Sequence, residues 1–336
     1  MSFVSKSAGG TEGFVKHALL MLPFAVVFLA FQIVPMIWVI VNSLYVEEDE
    51  IWGLGNYVEI LSDPFFLQSF TNSLWLSFWS SLVGLSIASF AAASLNKVSS
   101  RVRDWMVSFT NMTSNFSGVP LAFAFIIILG FNGSITLLLK DLGIIEKFNV
   151  YGIEGLFLIY TYFQIPLGIL LLFPAFTALK PEWEEAARTM GATRLQYWVK
   201  VAIPVLLPAL LGTFTILYAN AMGAYASAYA LTVGNYNLVT IRIGQLVVGD
   251  IFFQPNLAAA LSVLLIIILG FVVAVYRWLL RRSYHAAKVH ERNVAPLGDC
   301  RGGARVGAAD RGDRDVCLCD ELGRDDPAGR LYAEVV

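Results

Sequence analysis

The chain has 336 residues, of which 57% are apolar and 14% charged, with a mean hydropathy of +0.67 and a formal charge of −2. Soluble domains carry about a quarter charged residues, so an ordinary soluble enzyme is excluded and no nucleic-acid partner is expected. Six apolar runs, near Ala18–Tyr45, Thr71–Leu95, Trp105–Phe131, Gly155–Leu179, Val201–Thr232 and Leu257–Leu280, each reach the roughly 20 helical residues that cross a hydrocarbon core. No barrel-like alternation interrupts them. The expected class is an all-α membrane protein with a leader at 1–17, a six-helix domain at 18–292 and a tail at 293–336.

Taken in order, the first run is too long for a signal-peptide core and is expected to stay as an anchor. Its Pro23 and Pro35 predict kinks packed against neighbouring helices. The connection from Gly53 to Ser73 holds an Asp63-Pro64 turn and the aromatic residues Trp52, Phe65 and Phe66, which read as an interfacial belt. The second run is rich in small residues, including Gly84, Ala88 and Ala91–Ala93, and is expected to pack closely inside the bundle. The third opens with Asn111, Thr113, Ser114, Asn115 and Ser117, then Gly118 and Pro120. A polar, Gly/Pro-interrupted patch at membrane depth either lines a cavity or bonds to neighbouring helices. The fourth contains Gln164 and Pro166; the fifth contains Asn220 and Tyr225 among small residues; the sixth is nearly all aliphatic and reads as lipid-facing.

Between the fourth and fifth runs lies Lys180-Pro181-Glu182-Trp183-Glu184-Glu185-Ala186-Ala187-Arg188-Thr189-Met190-Gly191. Pro181 suits a first helical position, and the glutamates favour the positive end of a helix dipole. Gly191 ends that helix, and Thr193 with Gln196 has the form of a capping box that starts another. The segment 180–204 therefore predicts a surface hairpin of two helices.

EEAARTMG followed by Val201-Ala202-Ile203-Pro204 resembles the EAA loop of permease subunits of bacterial ATP-binding-cassette importers: EAA, three residues, Gly, nine residues, then I-x-L-P. The G-N-Y…D-P-x-F…N-S string at 55–73 is similar to the same family, in its spermidine/putrescine group. The resemblance, over roughly residues 14–285, implies a type I importer permease (MetI-like) bundle paired with a second permease subunit, with a cytoplasmic ATPase dimer and a periplasmic solute-binding protein as partners. It implies that Glu184, Glu185, Ala186, Ala187, Gly191 and Pro204 couple the chain to the ATPase. It points to Asn111, Asn115, Gln164, Asn220 and Tyr225 as candidates for the pathway of a small polar solute, polyamine-like in that group, although the fifth run has no carboxylate to meet a polycation.

No phosphate-binding G-x-x-x-x-G-K-[ST] loop occurs, so ATP would be used by the partner and no cofactor bound by this chain. His17, His285 and His290 stand singly, and Cys300, Cys317 and Cys319 all fall in the tail, so no metal site or disulfide framework is expected. The Gly- and Arg-rich tail after residue 293 reads as disordered, and as either an altered reading frame or an added regulatory segment. Basic residues cluster before the first run, between the second and third, in the hairpin and after the sixth, which predicts a multi-pass inner-membrane protein with both termini cytoplasmic. An ion-coupled secondary transporter and a non-transporting membrane assembly protein remain the alternatives.

Overall fold

The computed structural model describes residues 21–46, 50–143, 148–248 and 253–294, with side chains described as far as Arg281. The expected leader, the acidic residues Glu47, Glu48 and Asp49, the side chains of the three histidines, and the tail with its cysteines lie outside the described residues. Among the described residues, six helices are long and apolar enough to cross a membrane: Met21–Asn42, Pro64–Leu95, Val119–Asp141, Ile153–Thr177, Arg194–Met222 and Pro255–Arg281. The elements are named α1 (Met21–Asn42), β1 (Tyr45–Val46), β2 (Ile51–Trp52), α2 (Gly55–Ser62), α3 (Pro64–Leu95) and α4 (Ser100–Ser114). They continue as α5 (Val119–Leu129), α6 (Ser134–Asp141), α7 (Ile153–Thr177), α8 (Pro181–Thr189), α9 (Arg194–Met222), α10 (Ala226–Thr232), α11 (Val239–Val248) and α12 (Pro255–Val294).

The packing divides into two compact units. One is drawn from residues up to Leu74 together with Gly234–Ile268, the other from Trp75–Val233 together with residues from Leu269 on. In the first, β1 and β2 form a two-stranded antiparallel ribbon with Tyr45 opposite Trp52. The Asn56 amide donates to the carbonyls of Ser43 and Tyr45 at 3.1 and 2.9 Å, fastening α2 to the ribbon. Asp63 accepts the Phe65 N–H at 2.8 Å, so the Asp63-Pro64 pair starts α3 and the second span begins earlier than the predicted Thr71. Phe66 and Phe70 enter a core with Ile60, Val239, Leu246, Leu257, Ala258, Ala260 and Leu261. Phe66 is thus a core residue rather than part of an aromatic belt. The first turns of α12 are likewise buried, against the expectation of a wholly lipid-facing sixth span; its later Ile266, Ile267 and Phe271 are exposed.

In the second unit the small residues of α3 set the packing. Ala88 and Ala92 are buried with Leu172, Phe176 and Leu206. A Cβ placed on Gly168 of α7 would stand 2.8 Å from the Ala88 methyl and 3.5 Å from Leu217 Cδ1. That distance is short of van der Waals contact, so α3 and α7 meet as closely as two backbones allow. The same seam buries Ser80, Ser81 and Gln164.

Two predicted spans differ from the expectation. The third, Trp105–Phe131, is interrupted: α4 ends at Ser114 and α5 begins only at Val119. Gly118 between them has φ +76° and ψ −145°, a conformation open to glycine and almost closed to other residues. Pro120, lacking an N–H, then suits the first turn of α5. The fifth, expected to continue to Thr232, ends at Met222 and restarts as α10 after Gly223, Ala224 and Tyr225. The first break falls in the polar patch with Gly118 and Pro120 that the sequence marks; the second falls among small and aromatic residues that no local pattern sets apart.

Gly168→Val is expected to overpack the α3–α7 seam and cost about 1–3 kcal/mol, whereas Gly53→Ala, with nothing within 4 Å of its added carbon, is expected to be neutral. Thermal unfolding of the two purified variants in detergent checks this; equal midpoints would reject the close-packing account.

Candidate functional site

The hairpin forms from local rules. Lys180 is the N-cap of α8, Pro181 opens its first turn, and Glu182 and Glu184 lie in that turn. At the other end the Gly191 N–H donates to the Arg188 carbonyl at 2.9 Å and the Ala192 N–H to the Ala187 carbonyl at 3.0 Å. This pair of bonds is a Schellman closure, and Gly191 takes the left-handed conformation it needs at φ +83°. The Gln196 N–H donates to Thr193 Oγ1 at 3.3 Å, and the Thr193 N–H donates to Gln196 Oε1 at 2.8 Å, completing the capping box that starts α9. A π turn over Trp198–Ala202 precedes Pro204. Widening the helix there makes room for a ring that would otherwise strike the carbonyl four residues back.

These turns fold the hairpin over a core of its own. Ala187, Tyr197 and Ala202 are buried, with Leu179, Trp183, Ala192, Trp198 and Val201 packed around them. Ala187 therefore faces inward, Ala186 is half-buried and Glu185 is exposed. Glu184 accepts from Arg188 Nη2 at 2.6 Å and lies 4.0 Å from Arg194 Nε, bridging the two arms. Leu195 and Met190, 74% and 43% exposed, leave an apolar outer surface beside this charge bridge. A cavity of about 210 Å³ opens behind Ala187, Gly191, Gln196 and Tyr197.

A second site forms where the two helix breaks of the same unit meet. A cavity of about 370 Å³ is lined by Ser117, Gly118, Phe163, Asn220, Gly223, Ala224, Tyr225, Ala226 and Ser227, a volume within the ~300–1,000 Å³ range of small-molecule pockets. Its walls carry hydroxyl, amide, backbone and aromatic groups and no ionisable carboxylate or amine. Two hydrogen bonds hold it open. The Gly118 N–H donates to Ser227 Oγ at 3.0 Å, and the Tyr160 hydroxyl donates to the Ala224 carbonyl at 2.8 Å.

Of the sequence candidates, Asn220 and Tyr225 come together at this cavity. Asn111 and Asn115 do not line it; the Asn115 amide donates to the Asn111 carbonyl at 2.9 Å within their own turn. Gln164 is fully buried one position from the lining residue Phe163, its Nε2 donating to Ser80 Oγ at 3.0 Å. Sequence reading singled out Gly118 but missed Ser227 and Tyr160. Their roles depend on partners 109 and 64 residues away, and no local pattern marks either.

With this geometry in place, the wider likeness can be stated. Residues 84–283 match the family model of the binding-protein-dependent transport system inner membrane component. The chain belongs to that family. Within it, the putative ferric transport system permease protein FbpB 1 of Haemophilus influenzae is 22% identical over 255 residues, 76% of this chain and 40% of the relative. The chain thus spans about two-fifths of that relative's length. The spermidine/putrescine transport system permease protein PotB of Escherichia coli is 24% identical over 259 residues, 73% of this chain and 91% of the relative. Among solved structures, that of a bacterial ABC transporter involved in the import of the acidic polysaccharide alginate superimposes with a TM-score of 0.65 at 20% identity, covering 81% of this chain and 96% of that one. That likeness is one of fold, and with the family match it makes the six membrane-length helices a MetI-like bundle. For this inner membrane component the matched region takes in both breaks, the hairpin and α12 as far as Ser283.

Tyr160→Phe removes one oxygen and with it the hydrogen bond to the part-buried Ala224 carbonyl, which should cost about 0.5–1.5 kcal/mol. The expected result is a lower unfolding midpoint and faster amide exchange across 223–227; unchanged exchange there would show that the hydroxyl does not hold the break.

Proposed function

We propose that the chain is the permease subunit of an ATP-binding-cassette importer. With a second permease subunit it forms the pathway for a small polar solute, which a periplasmic binding protein delivers and a cytoplasmic ATPase pair drives across. Both termini and the hairpin lie on the cytoplasmic side, as the clusters of basic residues require. The chain itself binds no cofactor; ATP is consumed by the partner.

One observation carries the reading: the α8–α9 hairpin is a self-contained folded lever. A Schellman turn, a capping box, a buried Ala187–Tyr197–Ala202 core and the Glu184 bridge make it rigid. Through the uninterrupted run from Arg194 to Met222, its second arm is continuous with the helix that ends at the cavity. A push on Leu195, Met190 or Glu185 is therefore transmitted along one helix to Asn220 and Tyr225, where the chain is already broken and can change direction. Gly191 sets the angle of the lever, and Pro204 with its π turn marks where the lever joins the membrane helix. The cavity walls suit a neutral or weakly charged solute that hydrogen-bonds to Asn220, Ser117 and Ser227 and stacks on Phe163 or Tyr225.

Gly191→Val forces a β-branched residue into the left-handed region, at a cost of about 1–2 kcal/mol or more. Membrane insertion should persist while ATP-driven uptake falls at least about tenfold, and Gly191→Asn should retain most of it. Normal uptake by Gly191→Val would reject the lever. At the cavity, Asn220→Ala and Tyr225→Ala should change the solute concentration that half-saturates uptake while ATPase assembly stays intact; an unaltered solute dependence in both removes them from the pathway.

A further inference from the structure

Arg242 lies on α11, in the connection between the fifth and sixth membrane segments, which the proposed orientation places outside. It belongs to the unit that contains α2 and the start of α3. Its Nε donates to Asn237 Oδ1 at 2.8 Å and its Nη1 to Gln245 Oε1 at 2.5 Å. The guanidinium carbon sits 4.4 Å from the centroid of the Phe65 ring, within cation–π range. The two acceptors are themselves fixed. Asn237 Nδ2 donates to the Phe65 carbonyl at 2.9 Å, and the Asn237 carbonyl accepts from Asn72 Nδ2 at 3.0 Å. Gln245 Nε2 donates to the Gly234 carbonyl at 3.1 Å. The cation is thus aimed rather than loose.

Every hydrogen-bond acceptor of this guanidinium is a neutral amide oxygen, and no ion pair among the described residues includes it. Among the described residues, this half-buried cation has lost hydration without meeting a counter-charge. Of its five N–H groups, two are used. The other three, two on Nη2 and one on Nη1, remain to meet the oxygens of a carboxylate. We propose that Arg242 is the docking point for a carboxylate side chain of the external solute-binding protein, an inference that rests on the importer reading.

The occupant is a protein side chain rather than the travelling solute for two reasons. None of the cavity-lining residues belongs to the unit that holds Arg242. The Phe65 ring beneath the guanidinium is 44% exposed, so the pair is open to the surface. An arginine stacked on an exposed aromatic ring is a pairing enriched at protein interface centres, where charge pairing fixes register and steers encounter.

The test uses the complete assembly, with its ATPase and second permease subunit, in lipid nanodiscs. It measures the concentration of binding protein that half-maximally stimulates ATP hydrolysis. Arg242→Gln is expected to raise that concentration at least about tenfold with the maximal rate unchanged, and Arg242→Glu to raise it further. Replacing one Asp or Glu of the binding protein by Arg should restore Arg242→Glu. Arg242→Lys, which keeps the charge but loses the fork, should give an intermediate shift and decides the matter if Arg242→Gln does not assemble. An unchanged half-saturating concentration in these variants overturns the proposal, as does a shift confined to the solute's own half-saturation in uptake. A wild-type assembly that no binding protein stimulates refutes the importer reading, and the docking role with it, before any variant is compared.

Discussion

Inside a bilayer a backbone amide or carbonyl that leaves a helix has no water to turn to, so each interruption must be satisfied by protein. Two interruptions organise the larger unit of this chain, at residues 115–118 and 223–225, and each is met by a side chain from elsewhere in the sequence: Ser227 Oγ accepts the Gly118 N–H, and the Tyr160 hydroxyl caps the Ala224 carbonyl. Because the second segment of one broken helix secures the break of the other, neither can change alone. The space between them is the cavity that holds Asn220 and Tyr225. The cost of an unsatisfied peptide group thus becomes a means of placing polar groups at membrane depth.

The hairpin applies the opposite logic. It stands clear of the apolar runs, where water can solvate loose ends, yet its ends are not left to water: Gly191 closes one helix by two backbone bonds and Thr193 with Gln196 opens the next. Closing both ends over Ala187, Tyr197 and Ala202 gives this short segment a buried core of its own. At its junction with the membrane helix the winding widens, at Trp198–Ala202 before Pro204.

The smaller unit shows how side chains in an ordinary-looking connection can specify a fold. Asn72 and Ser73 on α3 bond to the Asn237 carbonyl and the Val239 N–H, at 3.0 Å each, tying the start of α11 to a helix more than 160 residues earlier in the chain. The Asn-Ser pair, legible in sequence only as part of a family string, acts as a backbone clamp. Asn237 extends the clamp to Phe65 and Arg242, so one network of neutral amides both closes the loop and orients a cation.

Features whose cause lies within one or two turns of chain were readable in advance. Six runs of apolar residues are long enough to span; Pro181 suits the first turn of a helix; Gly191 takes the left-handed turn at the least cost; Thr193 and Gln196 are spaced to cap each other. Their energies depend on neighbours in sequence, and so composition and spacing determined the helical class, the multi-pass character and the hairpin. Tertiary structure decided what depends on distant partners: that Trp105–Phe131 and Val201–Thr232 are broken rather than continuous, that Gln164 is buried against Ser80 while Asn220 faces a cavity, and that Arg242 is held between two amides over an aromatic ring. Hydropathy averages over a run and is blind to a backbone break within it. Whether such a break is stable depends on a hydroxyl that only the folded chain brings within reach.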